Sequence, residues 1–182
     1  MNQPTDEAII AQTKKWIIDV VVGCNFCPFA AKEIKRNSIH YEVLPTATTK
    51  NVLTAVMAAL HQLDINTGIE TSFLILPGSF GKFDAYLQLL ELAETLLAKE
   101  GYEGIYQLAS FHPEYLFAGG TSADPANYTN RSPYPMLHFL REESVSKAID
   151  SYPGIDEVPN RNIAFANKKG LLYMQQLLKP NS

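Results

Sequence analysis

With only two cysteines among 182 residues, Cys24 and Cys27, the chain has no disulfide framework to hold it together. No apolar run reaches the roughly 18–20 residues that a membrane-spanning helix needs. Positive charge is scarce: 15 Lys and Arg against 19 Asp and Glu leave a net charge of -4. Sequence-independent nucleic-acid binding needs clustered cations to displace counterions, so that class is disfavoured. The first residues, MNQPTDEAIIAQTKK, carry an early acidic pair and do not read as a signal or transit peptide. These absences set the expectation of a cytoplasmic protein with both thiols reduced and with neither nucleic acid nor membrane as partner. Also missing are a P-loop, G-x-G-x-x-G, HExxH and G-x-S-x-G. Standard nucleotide, zinc-protease and serine-hydrolase chemistries therefore find no support, and no cofactor is indicated.

What is present is globular. Hydrophobic residues make up 46% and charged residues 19%, enough for one α/β domain over residues 1–182 with a full core. From Asp6, the positions Ile9, Ile10, Thr13, Trp16, Ile17, Val20 and Val21 follow helical spacing, with Thr5 or Asp6 at the N-cap and Gly23 at the end. The β-branched run IIDVVV also suits a strand, but three turns of periodicity favour helix. Pro28 restarts a short helix, FAAKEIKR. Strands are expected over residues 39–45, 72–77 and 104–110, with helices near 50–64 and 82–99 between them. This spacing predicts a small sheet of about three core strands joined by βαβ crossovers. The N-terminal helix precedes it, and two C-terminal helices, from about 135 to 150 and from about 156 to 178, follow it.

Residues 112–134 form a loop too long to be a mere connector. In α/β sheets, ligands bind beyond the carboxyl ends of the strands, where this loop begins. His112 leaves the third strand there, stiffened by Pro113. The alternative for His112 is a capping role on a neighbouring carbonyl. In the predicted helix from Pro135, His138, Arg141 and Glu142 share one face. Asn130, Arg131 and Ser132 lie just before its N-terminus, an arrangement suited to a carboxylate or phosphate. Tyr115 and Tyr134 are the expected walls. The alternative for Arg131 and Arg141 is to hold the loop together through carbonyls or acidic side chains.

The CNFCP stretch reads as a redox pair, as half a metal site with His112 and His138, as a single reactive Cys27, or as two buried thiols. Arg161 and Asn162 either join the cluster or cap a neighbour.

Four stretches together resemble a known family: C-P-F-A at 27–30, A-S-F-H-P-x-Y-x-F-A-G at 109–119, N-Y-T-N-R-S-P-Y-P-x-L-H-x-L-R-E at 127–142, and R-N-I at 161–163. The resemblance is to the uncharacterised bacterial family numbered 1415 in the domain-of-unknown-function series, and it covers nearly the whole chain. It implies no activity, cofactor or substrate. It does implicate one pocket built from His112, Arg131, His138 and Arg141. Cys24 stands where that family commonly has Leu, which weakens the paired-cysteine readings and leaves Cys27 in play.

The residues thus predict a small-molecule enzyme with an anionic substrate. Arg131 and Arg141 would bind it, His112 or His138 would act as acid or base, and Cys27 as nucleophile. A binding or sensor protein using the same pocket is the first alternative. A metal-binding protein using His112, His138 and Cys27, or Glu142, is the second.

Overall fold

The computed structural model describes residues 4–179. The N-terminal helix α1 (Asp6–Trp16) opens on Thr5, whose Oγ1 accepts from the Ala8 amide at 3.3 Å. It runs on as a six-residue π-helix (Ile17–Val22) rather than as regular α-helix, and turns at Gly23. Helix α2 spans Ala30–Arg36 and strand β1 spans Ile39–Val43. Helix α3 (Thr49–Ile65) leads to strand β2 (Thr71–Ile75), and helix α4 (Phe83–Lys99) leads to strand β3 (Tyr106–Phe111). Among the described residues no helix is long and apolar enough to cross a membrane.

The expected helix from 135 to 150 is corrected by the structure. Its first part is a fourth strand, β4 (Met136–Arg141), and only Glu142–Ser151 is helical, as α5. The order in the sheet is β1-β2-β4-β3. β1 and β2 are parallel, and β4 lies antiparallel between β2 and β3. The reason is burial on both faces. MLHFLR supplies apolar side chains to each side of the sheet, so its pattern is a nearly continuous run that fits a buried strand as well as a helix. The loop from 112 therefore returns the chain to the middle of the sheet, and the first three strands share the sheet without β3 touching β2.

The last helix is also two: α6 (Val158–Lys169) and α7 (Leu171–Leu178). Gly170 between them has φ +82°, a left-handed conformation that breaks the helical run.

Two apolar layers flank the sheet. On one face α3 and α4 bury Val52, Val56, Leu60, Leu63, Leu89 and Ala93 against Leu74, Leu76, Leu137 and Phe139. Tyr86 of α4 ties this layer together: its hydroxyl donates to Met136 O at 2.7 Å and accepts from the Phe111 amide at 3.2 Å. On the other face Ile9, Trp16, Ile17 and Val20 meet Phe73, Ile75 and Met136, with Ala166 of α6 and Met174 of α7 beside them. This second layer does not cover the whole sheet, and the uncovered part is where the chemistry gathers.

Candidate functional site

Side chains alternate across a strand, so β2 turns Thr71, Phe73 and Ile75 to one face. β4 turns Met136, His138 and Leu140 to the same face, and β3 turns Gln107, Ala109 and Phe111. Phe73, His138 and Ala109 form one cross-strand row. Phe73 stacks flat on the imidazole, with ring centroids 4.0 Å apart and an interplanar angle of 3°. On the other side of the row Ala109 has only a methyl group, and space opens there. The result is a cavity of about 570 Å³ over the sheet. Trp16, Ile17 and Val21 close one side, Cys27, Phe29 and Ala30 the second, and Ser144, Val145, Ala148 and Ser151 of α5 the third. The π-helical turn carries Ile17 and Val21 to this wall, the kind of local irregularity that often accompanies a site.

His138 is the polar group at the cavity floor. The Thr71 hydroxyl lies 2.6 Å from its Nε2 and also donates to Phe139 O at 2.6 Å. A hydroxyl has one proton and a carbonyl can only accept, so that proton goes to Phe139 O and His138 Nε2–H must donate to Thr71. The ring is thus the Nε2–H tautomer, and Nδ1 carries a bare lone pair. Among the described residues no group bonds Nδ1, yet no fully buried side-chain nitrogen or oxygen lacks a partner. Nδ1 therefore opens onto the cavity that His138 lines. The surroundings are largely carbon, and desolvation pushes the imidazole pKa down to about 3.

The remaining expected site residues do not gather here. His112 packs on the opposite side, 5.0 Å from the Tyr86 ring and 5.2 Å from that of Phe83. Its Nε2–H donates to Phe80 O at 2.9 Å and its Nδ1 accepts from the Glu114 amide at 2.9 Å. Both nitrogens are spent and burial lowers its pKa, which fits the capping alternative. Arg131 donates from Nε to Tyr115 O at 3.1 Å and from a terminal nitrogen to Ser122 O at 3.1 Å, over the Tyr128 ring. It edges a separate depression of about 560 Å³ near Lys82 and Glu114, at the carboxyl end of the sheet. Arg141 donates to Leu63 O at 2.6 Å and Ile69 O at 2.9 Å, carbonyls at and beyond the end of α3. Its chain lies at the cavity rim, but its charge is used on the far face.

Asn130 accepts from Thr129 Oγ1 at 2.9 Å, and Ser132 donates to Tyr134 O at 2.6 Å. Tyr115 packs against Phe83 and Phe117, and the Tyr134 hydroxyl donates to Gln12 on α1. These residues fasten the long loop to the body of the protein. The single pocket of His112, Arg131, His138 and Arg141 is therefore corrected to a division: His138 stands in the cavity, and the other three hold structure. Because residue 138 is in a strand and not a helix, His138 and Arg141 point to opposite faces.

Both cysteines are free. Cys24 is buried in the apolar layer, where desolvation raises its thiol pKa, while Cys27 lines the cavity. The loop between them is gripped from α6. Arg161 donates to Asn25 O at 2.6 Å and Asn162 donates to Phe26 O at 2.7 Å. That grip fixes where Cys27 sits, so Arg161 and Asn162 act as caps on a neighbour. Among the described residues no group of three or more His, Cys, Asp or Glu is placed to hold a metal ion. The set of His112, His138 and Cys27 is divided by the sheet.

Sequence reasoning missed Thr71, Phe73, Ala109 and Trp16 as parts of the site. Alternation in β2 and β3 put each on a definite side of its strand, but only the position of β4 shows which side is open.

No curated protein and no solved structure matches the chain. The family model described as "Protein of unknown function (DUF1415)" matches residues 8–176, and the chain belongs to that family.

Proposed function

We propose that the cavity over Ala109 is a small-molecule binding site, and that its ligand is a largely apolar molecule presenting a hydrogen-bond donor to His138 Nδ1. The observation that carries this reading is the bare Nδ1 at the floor of a space whose surface is mainly apolar. Apolar walls with a few fixed polar groups are the common form of a ligand pocket. Thr71 fixes the tautomer, so the acceptor is set before the ligand arrives.

The reading departs from an anionic substrate, because the guanidinium groups of Arg131 and Arg141 are committed to carbonyls. It also ranks binding above general-base catalysis. A base works best with a pKa near the working pH, and burial holds His138 near 3. A neutral ring of this kind accepts a hydrogen bond and keeps its charge state. A catalytic reading is favoured by one observation, the Cys27 thiol on the same wall, which would act as nucleophile toward a bound electrophile.

Matched ligands test the binding reading. By calorimetry, 4-ethylphenol should bind about fivefold more tightly than 4-ethylanisole, since only the phenol donates and one hydrogen bond is worth about 1 kcal/mol. In His138→Phe that preference should vanish while the weaker apolar binding persists. Equal affinities in the unaltered protein, or no binding of either, would remove the proposal.

A further inference from the structure

Charge does not select a ligand for this cavity. Its charged lining is of both signs, with Lys32, Arg141 and Lys147 beside Glu33 and Glu70. Most of these groups already have partners. Glu33 accepts from the Ser38 hydroxyl at 2.6 Å and has Lys32 Nζ at 3.7 Å, Lys147 is paired with Glu143, and Arg141 is spent on carbonyls. Selection falls to the uncharged polar side chains. Thr71 is committed to Phe139 O and His138, and Ser151 donates to Ala148 O at 3.1 Å. On the floor of the cavity that leaves His138 and Gln107.

Strand register sets these two beside one another. Next to the row of Phe73, His138 and Ala109 lies the row of Thr71, Leu140 and Gln107, on the same face. Gln107 is therefore the diagonal neighbour of His138 across the β3–β4 pair, and such neighbours lie roughly 7–8 Å apart. Ala109 stands beside Gln107 on β3 and opposite His138, so its methyl group leaves the space between the two polar groups open. Among the described residues the Gln107 side chain bonds to no group, and it lines the cavity onto which His138 Nδ1 opens. Its amide offers two N–H donors and a carbonyl acceptor and carries no charge.

From this we infer that Gln107 determines the specificity of the cavity, and that the ligand is a neutral carboxamide whose amide pairs with Gln107 while its far end donates to His138. Only another amide meets the donor and the acceptor of Gln107 at once, through two hydrogen bonds. The inference rests on the binding reading above and adds the second polar contact. A para-substituted ring spans the diagonal between the two residues. Phe73, Phe111 and Trp16 give such a ring an aromatic bed, and Trp16 stands edge-on to Phe111 at 5.1 Å.

Three probes of one skeleton separate the two claims: 4-hydroxyphenylacetamide, 4-ethylphenol and 4-hydroxyphenylacetate, which carry the amide, no second polar group, and a charged group in its place. Gln107→Met keeps the length of the side chain and removes its hydrogen bonds. By calorimetry on the full chain, it should weaken the acetamide about 25-fold, from two hydrogen bonds at about fivefold each. The affinity for 4-ethylphenol should stay within about twofold, which also shows that the variant keeps its cavity. Gln107→Leu should act in the same way, so either variant alone suffices if the other fails to fold. In the unaltered protein the acetate should bind at least about fivefold more weakly than the acetamide, because a carboxylate cannot donate. If 4-ethylphenol binds but the acetamide does not, if the variants leave the acetamide unchanged, or if the acetate matches it, the carboxamide ligand is wrong and the donor-to-His138 site stands. Failure of all three probes to bind overturns both.

Discussion

Replacing Arg141 by Ala should lower the melting temperature by roughly 5–15 °C, corresponding to about 2–4 kcal/mol in a chain of this size. The guanidinium gathers the carbonyls of Leu63, Asn66 and Ile69 at 2.6, 3.4 and 2.9 Å, and reaches the Tyr106 hydroxyl at 3.3 Å. Tyr106 in turn donates to Asp64 at 2.7 Å, and Tyr102 donates to the same carboxylate at 2.8 Å. One side chain thus joins the end of α3, the turn into β2 and the start of β3. Its removal strands several carbonyls at once. Arg141→Lys should recover little, because an ammonium cannot span three carbonyls and an aromatic hydroxyl from one fixed plane. If Arg141 instead belonged to a ligand site, Ala would leave the melting temperature nearly unchanged.

Acid should destabilise the protein early, and His138 should account for much of the effect. Desolvation pushes its pKa down from the ordinary 6.5 to about 3. Above 6.5 the ring is neutral in both the folded and the unfolded chain. As pH falls below that value, the unfolded chain takes up a proton that the folded chain refuses, and stability is lost progressively until about pH 3. By pH 5 this one ring should cost about 2 kcal/mol. His112, whose pKa is also lowered by burial, adds in the same direction. Urea midpoints at pH 7 and pH 5 read the difference. His138→Phe, which keeps the stack on Phe73, should remove the larger part of the slope. A slope unchanged in that variant would mean the ring titrates normally.

The two predictions rest on a part of the molecule that the sequence describes unevenly. β1, β2, β3 and the helices between them are legible because each is bounded by turns and has a single clear period. Apolar residues at helical spacing in α3 and α4 could only make a layer on a sheet. β4 is not legible, because a strand buried on both faces loses the alternation that marks strands, and Pro135 before it is equally at home opening a helix. The error spread from there. Reading 138 and 141 as neighbours on a helix joined a cavity histidine to a scaffold arginine, when the strand sends them to opposite sides. His138 and Cys27 stand out in the sequence by residue type and by the motifs that carry the family resemblance. Their shared cavity depends on the small side chain of Ala109 and on the fold of the loop at 23–27, and neither signals itself in a linear pattern.

Nitrogen-15 NMR of the histidine rings tests most directly whether His138 presents a bare acceptor to an open cavity. The account predicts that His138 remains the neutral Nε2–H tautomer from pH 7 down to pH 5, with Nδ1 unprotonated. Adding 4-ethylphenol should move the Nδ1 resonance in the unaltered protein and leave it in place in Ala109→Leu, whose larger side chain fills the space beside the ring. A His138 that titrates near 6.5, carries its proton on Nδ1, or shows no response to the phenol would contradict the account.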